Sequence, residues 1–125
     1  LMVGPLYGET KLQALVAAAC FCLPSRQEGF SIAITEALAC GTPVVITHAC
    51  HFPEVGLAGA GAVVTLDPAD IAGGMIEILR DRGMAETMGR NGRQLVFENY
   101  TWPRIARLTT GLYEAYSPAD PTAVA

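Results

Sequence analysis

Three short apolar runs, separated by segments with helical spacing, constrain the fold of this chain most strongly. Each run has four or five residues and is bounded on at least one side by proline or glycine: Cys20–Leu23, Val44–Thr47 and Ala62–Leu66. Runs of this length and punctuation are typical of strands that are buried on both faces. Their alternation with helices predicts an α/β domain with a parallel sheet and right-handed crossovers.

Start and stop signals predict where the helices lie. We expect helices over Glu9–Ala19, from Ser31 as N-cap to about Ala39, from Asp67–Pro68 onward, over about Met84–Phe97, and from Trp102–Pro103 onward. Gly89 and Gly92 lower the helix propensity of the fourth of these segments. The last residues contain two further prolines, so we expect a domain over 1–116 and a frayed tail over 117–125.

The composition is that of a folded, mildly acidic domain. The chain has 125 residues, of which 51% are hydrophobic and 16% charged, and its net charge is −4. This excludes a disordered chain and argues against binding to nucleic acid or to an anionic membrane. Residues 1–66 hold only six charges, so the first half is expected to be buried on several sides. The chain is short for a two-domain enzyme and opens on Leu1–Gly4, which looks like the end of a strand, so we expect a fragment.

The cysteines favour a reducing compartment. Cys20 and Cys22 lie on one face of a predicted strand, where neighbouring thiols are poorly placed to bridge, and the chain lacks a dense cysteine framework. We expect reduced, buried thiols in a cytoplasmic protein. No metal site is expected, because there is no C-x-x-C and His48 and His51 lack a second ligand pair. No apolar run reaches the roughly 20 residues of a membrane span.

An isolated acidic residue marks the second predicted helix. Glu36 is the only charged residue between Gly29 and Thr47. An unpaired buried carboxylate is unfavourable, so Glu36 either reaches solvent, pairs with Arg or Lys, or binds a ligand. Glu28 lies eight positions earlier in the preceding loop, and Gly29 after it either admits a ligand to the backbone or serves a tight turn.

The beginning of the same helix favours an anion. The amides of Phe30, Ser31 and Ile32 face outward there, and the partial positive charge of a helix N-terminus attracts phosphate. Because carboxylates repel phosphate, Glu28 and Glu36 are expected to bind hydroxyls instead, for which the vicinal diols of a ribose or hexose are suited. The loop also follows a strand, where ligands bind in such folds. These residues together suggest a nucleotide-sugar.

The segment Pro24–Val45 resembles the signature of the family 4 retaining glycosyltransferases, which have the GT-B fold. The family pattern is roughly P-S-x-x-E-G-F-G-x-x-x-x-E-A-x-A-x-G-x-P-V-V, and the spacing of Glu28 and Glu36 matches its E-x7-E motif. The resemblance covers about residues 1–116. It implies the C-terminal, donor-binding half of such an enzyme, with a Rossmann-like parallel sheet and helices on both faces.

The resemblance also implies roles for individual residues. Glu36 matches the glutamate that holds the ribose hydroxyls, and Glu28 the one that contacts the donor sugar near the reacting centre. The donor-binding stretch begins at Gly29 and continues through the amides of Phe30, Ser31 and Ile32, which match the part that lies on the diphosphate and sugar. Transfer with retention is implied, without an obligatory metal or a cofactor other than the UDP-, GDP- or ADP-sugar donor.

Other implied parts of the enzyme lie outside this sequence. A missing N-terminal domain would bind the acceptor, which is a sugar, a lipid or another small molecule. The family's basic Arg/Lys pair would also lie upstream, since neither Arg26 nor Lys11 matches it. The chain alone is therefore expected to be inactive.

Several departures from the family pattern leave alternatives open. Ser31 replaces a glycine and either caps the helix, which we favour, or bonds the donor. The loop containing His48 and His51 replaces a Gly-Gly loop, and either histidine contacts a substrate or only packs. For Glu54 a structural role at a loop or helix start is favoured over a catalytic one.

The main functional alternative is a non-catalytic α/β module that binds a nucleotide-sugar or a protein partner. A receiver-like signalling domain is disfavoured, because none of the three predicted strands ends in aspartate.

Overall fold

The computed structural model describes residues 2–116, which contain a three-stranded parallel sheet in the order β1-β2-β3. The strands are β1 (Phe21–Leu23), β2 (Val44–Thr47) and β3 (Gly61–Val64). The helices are α1 (Gly8–Ala17), α2 (Ile32–Ala39), α3 (Glu54–Leu57), α4 (Pro68–Arg80), α5 (Arg82–Asn99) and α6 (Trp102–Tyr116), and a 3₁₀ turn follows β2 over His48–Cys50. The predicted strands and their parallel pairing are confirmed, with shifts of one or two residues at their ends.

The central strand, β2, is covered on both faces, and all four of its residues are buried. Val44 and Ile46 belong to the same buried cluster as Leu38 of α2. Val45 lies against α4 on the other side, where a Cβ built on Gly74 would be 3.3 Å from Val45 Cγ1. Burial on both faces explains why this strand is continuously apolar instead of alternating.

Two glycines let α5 pack closely against the end of α2. A Cβ on Gly89 would overlap the carbonyl oxygen of Gly41, and a Cβ on Gly92 would lie 2.6 Å from Leu38 Cδ2. Gly41 itself follows α2 with φ of 79°, the left-handed conformation predicted for this position. The helix is longer than its low propensity predicts, because close packing offsets the cost of its glycines.

The charge-poor first half supplies most of the buried side chains, as its composition predicts, but two helices of the chain are exceptions to close burial. Helix α1 contains no buried residue, although Leu15 packs against the core from that helix. Helix α6, predicted from Trp102–Pro103 onward, has no buried residue either, and Leu112 is 61% exposed. Both helices were predicted correctly, but within the described residues most of their apolar side chains remain partly exposed to solvent.

The four cysteines are free, but the expectation that they are buried is wrong for three of them. Only Cys50 is buried, whereas Cys20, Cys22 and Cys40 are half-buried. The exposed position of β1 at the edge of the sheet accounts for the first two. Desolvation raises the pKa of Cys20 and of Cys22, and the neighbouring Cys20 raises the pKa of Cys22 further.

The predicted tail over 117–125 lies outside the described residues. Across residues 2–116, no helix combines the length and the apolar character that crossing a bilayer requires.

Candidate functional site

The three strands end at the same edge of the sheet. Leu23 pairs with Ile46, and Thr47 pairs with Val64, so the segments that follow the strands lie side by side. The loop over 24–31 thereby becomes the neighbour of the 3₁₀ turn that follows β2. This carboxyl edge is where parallel α/β sheets bind their ligands.

The turn after β2 holds Glu28 through both of its backbone groups. The N–H of Glu28 donates to the carbonyl oxygen of Ala49 at 3.0 Å, and Nδ1 of His51 lies 3.1 Å from the carbonyl oxygen of Glu28. Because a carbonyl only accepts, this contact requires the proton on Nδ1. Among the described residues, Glu28 hydrogen-bonds only through its backbone, so its carboxylate keeps its full capacity for a ligand.

Two further side chains of the same segment hold the first part of the loop. The hydroxyl of Thr47 donates to the carbonyl oxygen of Ser25 at 2.5 Å. The thiol of Cys50 lies 3.6 Å from both the carbonyl oxygen of Leu23 and the hydroxyl of Thr47. The loop that carries Glu28 is therefore tied to the end of β2 along its length.

Gly29 faces open space. Its φ is not positive, and a Cβ added to it would meet no protein atom within 4 Å. Neither a left-handed turn nor packing within the described residues therefore requires glycine here. Of the two interpretations of Gly29, a turn that requires glycine is not supported. The open space agrees with the other, that a ligand can approach the backbone here.

The N-terminus of α2 presents the three predicted amides. Ser31 has the extended conformation of an N-cap, with φ of −86° and ψ of 107°, and is 7% exposed. Its side chain makes no capping hydrogen bond, so the favoured prediction for Ser31 is wrong in its chemistry although right in its position. Within the described residues, nothing accepts a hydrogen bond from the N–H groups of Phe30, Ser31 or Ile32.

Glu36 pairs with a lysine of the preceding helix. Nζ of Lys11 lies 2.7 Å from Oε1 of Glu36, and the two side chains are 38% and 32% exposed. Of the three possibilities for Glu36, pairing with a lysine and access to solvent are both present, and Oε2 of Glu36 makes no hydrogen bond within residues 2–116. The sequence analysis assigned no role to Lys11. The available signal was that Lys11 and Glu36 are sparse opposite charges on the two predicted helices before and after β1.

An aromatic cluster holds the residue after Gly29. The ring centroids of Phe30 are 5.8 Å from Phe52 and 5.6 Å from Tyr100, and the latter two are 5.1 Å apart. Burial raises the pKa of Tyr100, and the charge of Glu54 raises it further. A groove of about 520 Å³ lies beside this cluster and is lined by Phe30, Ile32, Thr35, Tyr100, Trp102 and Ile105.

The remaining candidates lie at the margin of the site. Glu54 begins α3, in agreement with a helix-start role. His48 is exposed, and within residues 2–116 its ring makes no hydrogen bond, whereas the ring of His51 contacts Glu28. Arg26 is exposed and forms no ion pair with a described residue.

The parallel sheet and the helices on both of its faces define a Rossmann-like α/β domain, and the N-terminus of α2 opens at the carboxyl edge of its sheet. Residues 1–95 match the family described as Glycosyl transferases group 1. The chain is 34% identical over 113 residues to MMP alpha-(1->4)-mannosyltransferase of Mycolicibacterium hassiacum, covering 85% of this chain and 27% of that protein. It is 33% identical over 109 residues to alpha-maltose-1-phosphate synthase of Mycobacterium tuberculosis, covering 81% and 28%.

A solved structure shows the same fold. Sucrose-phosphate synthase from Thermosynechococcus elongatus superimposes with a TM-score of 0.74 and 32% sequence identity, over 81% of this chain and 26% of that one. The chain belongs to the group 1 glycosyltransferases, and its α/β fold is that of a GT-B glycosyltransferase domain. It spans about 27% of the length of the first of these relatives.

Proposed function

We propose that this chain binds the nucleoside-diphosphate sugar in a retaining, metal-independent glycosyltransferase that transfers the sugar to an acceptor. One observation carries the proposal: the N-terminus of α2 follows β1 at the carboxyl edge of the sheet, and its first amides have no partner among the described residues. Family membership supports the reaction class. UDP-, GDP- and ADP-sugars are the donors to consider.

The diphosphate is placed against the amides of Phe30, Ser31 and Ile32. These N–H groups have no partner among the described residues, and the helix dipole favours an anion at this point. The open space at Gly29 allows a phosphate to approach the backbone closely. As the bond to the sugar breaks, fixed amide dipoles stabilise the charge that develops on the departing diphosphate.

The two carboxylates flank that anion site in the chain, one before α2 and one within it. Glu36 follows Ile32 by four residues, which places both on one face of α2, about 6 Å apart along the helix axis. Glu28 precedes the helix in the loop. A nucleoside-diphosphate sugar has its ribose at one end of the diphosphate and its sugar at the other, so Glu36 is assigned to the ribose hydroxyls and Glu28 to the donor sugar.

Lys11 adds the positive charge that this arrangement needs. A diphosphate beside two carboxylates is repelled, and the ammonium 2.7 Å from Glu36 reduces that repulsion. The ion pair occupies one oxygen of Glu36, and the other keeps its lone pairs for hydroxyl donors. Lys11 is thus assigned a supporting role at the ribose end of the site.

The rest of the enzyme is assigned to parts beyond this sequence. The relatives are several times longer than the segment they share with this chain. A second domain would bind the acceptor, which is a sugar, a lipid or another small molecule, and would supply further basic groups for the diphosphate. The domain alone would then bind donor without transferring it. The four free thiols support a reducing, cytoplasmic location for the protein.

The test is a screen of the 125-residue chain by ¹H–¹⁵N NMR against UDP, GDP, ADP and a hexose conjugate of each. The proposal expects one nucleotide to shift the amide signals of Phe30, Ser31 and Ile32, and its conjugate to shift Glu28 as well. Shifts confined to other parts of the chain, or none with any probe, would remove the donor site. Binding without transfer in any longer protein that contains the domain would favour the non-catalytic module.

A further inference from the structure

One residue at the edge of the site, His51, has a backbone conformation that is uncommon for residues with a Cβ. His51 has φ of 50° and ψ of 41°, and it is the only non-glycine residue with positive φ among residues 2–116. The left-handed region is uncommon for residues with a Cβ, although histidine, asparagine and aspartate enter it more often than others. Conformations of this kind persist where the surrounding structure enforces them, and they cluster at functional sites.

The core does not explain the side chain at this position. His51 is exposed, while Cys50 and Phe52 on either side of it are buried and hold the turn in place. The backbone N–H of His51 closes the turn on the carbonyl oxygen of His48 at 3.1 Å, a contact that any residue except proline could make. The particular contribution of the histidine is therefore its ring.

The ring of His51 contacts the residue assigned to the donor sugar. Its Nδ1 lies 3.1 Å from the carbonyl oxygen of Glu28, while the N–H of Glu28 donates to Ala49 in the same turn. Both peptide groups of Glu28 thus hydrogen-bond to the turn after β2. Its carboxylate has no partner among the described residues. A side chain held through its backbone loses less freedom when it meets a ligand.

We infer that His51 is a positioning residue that orients Glu28 toward the donor sugar. The inference rests on the proposed function of Glu28. It distinguishes the two histidines that follow β2, since the ring of His48 has no such contact within residues 2–116.

Three substitutions separate the hydrogen bond from the backbone conformation. His51→Gly removes the ring and relieves the left-handed strain. His51→Asn keeps a residue that tolerates this conformation, and its amide nitrogen is as many bonds from the Cα as Nδ1, so it can donate to the same carbonyl. His48→Asn is the matched control in the same turn.

The measurements are affinities of the 125-residue chain for UDP, GDP and ADP and for UDP-glucose, GDP-mannose and ADP-glucose, by calorimetry. We expect His51→Gly to weaken the conjugate by about fivefold while the free nucleotide binds within about twofold of wild type, the scale of one lost hydrogen bond. Its melting temperature should equal or exceed that of wild type. His51→Asn should restore most of the conjugate's affinity, and His48→Asn should change neither.

Amide hydrogen exchange measures, without a ligand, how firmly the turn after β2 holds the backbone of Glu28. The Glu28 amide should exchange about tenfold faster in His51→Gly, because the loop over 24–31 detaches from the turn more often without the ring contact, and should be protected again in His51→Asn. Equal losses for nucleotide and conjugate, or no loss for either, would overturn the inference while leaving the donor site intact. If the wild-type chain bound none of the six probes, the proposed function would fail first and the positioning role with it.

Discussion

The ammonium of Lys11 lies 2.7 Å from the carboxylate of Glu36, and this pair joins α1 to α2 beside the open edge of the sheet. Both side chains remain about one-third exposed, so solvent screens their attraction. Such pairs contribute about 1 kcal/mol or less to stability. The pair therefore matters more for the charge of the site than for the fold, and its removal can be tested without unfolding the chain.

Replacing Lys11 with methionine should weaken nucleotide binding severalfold. The substitution leaves Glu36 without its cation, so the carboxylate repels the incoming diphosphate more strongly. The free energy of unfolding should change by less than about 1 kcal/mol. Calorimetry at low and high salt checks both parts, because added salt should reduce the difference between the variant and wild type. Tighter binding by the variant would show that Lys11 instead competes with the ligand for Glu36, and equal binding would exclude Lys11 from any role at the site.

Glu28→Gln should lower the affinity for the nucleotide-sugar while the affinity for the free nucleotide is retained. The amide is similar in size to the carboxylate but is a weaker acceptor for sugar hydroxyls. The backbone N–H of Glu28 donates to Ala49, and its carbonyl oxygen contacts the ring of His51; neither contact involves the substituted atoms, so the melting temperature should not change. In a longer enzyme that contains the domain, turnover should fall as well. Glu77→Gln, at an exposed position of α4, is the control, and wild-type behaviour of Glu28→Gln would exclude it from the site.

Gly29→Ala should affect the ligand and not the fold. The added methyl meets no protein atom within 4 Å, and the backbone is not left-handed, so thermal unfolding should be unchanged. The same methyl occupies the space through which a phosphate would approach the amides, so nucleotide affinity should fall. Gly89→Ala supplies the opposite pattern: its methyl overlaps the backbone of Gly41, and we expect a loss of about 2 kcal/mol or more in stability. Full nucleotide affinity in Gly29→Ala would place the ligand elsewhere.

Alkaline pH should destabilise the chain. Desolvation raises the pKa of Cys20 and of Cys22, and Cys20 adds to the rise for Cys22; the pKa of Tyr100 is raised by burial and then by Glu54. The unfolded chain therefore releases these protons at lower pH than the folded chain. Stability is complete below the ordinary pKa values and declines as pH rises past them. Urea titrations under reducing conditions at about pH 7 and about pH 10 measure the decline, which Cys22→Ala should lessen. A constant or rising free energy of unfolding would contradict this reading of the thiols and the phenol.

Local patterns predicted most of the fold. Pro43 marks the beginning of the strand Val44–Thr47. The continuously apolar character of this run indicates that it is covered on both faces, as a central strand is. Asp67 caps α4 through its side chain, as residue type and the following proline indicate. In each case the determining interactions lie within a few residues of one another.

What the sequence pattern could not predict depends on distant residues. Lys11 and Glu36 are 25 positions apart, and no periodicity links them. The capping prediction for Ser31 failed because residue type determines which residue can cap, whereas side-chain rotation determines whether it does. The left-handed conformation of His51 has no strong sequence signal either, because it is the turn between two buried neighbours that holds it.

Donor binding at the carboxyl edge depends above all on the ribose contact proposed for Glu36. Calorimetric titration of the wild-type chain and of Glu36→Ala with the nucleoside diphosphate that binds best measures this contact. We expect affinity to fall about tenfold or more in the variant, since the ribose loses a charged acceptor for its two hydroxyls, with the fold retained. An unchanged dissociation constant would exclude the ribose role of Glu36 and, with it, a nucleotide site at this edge.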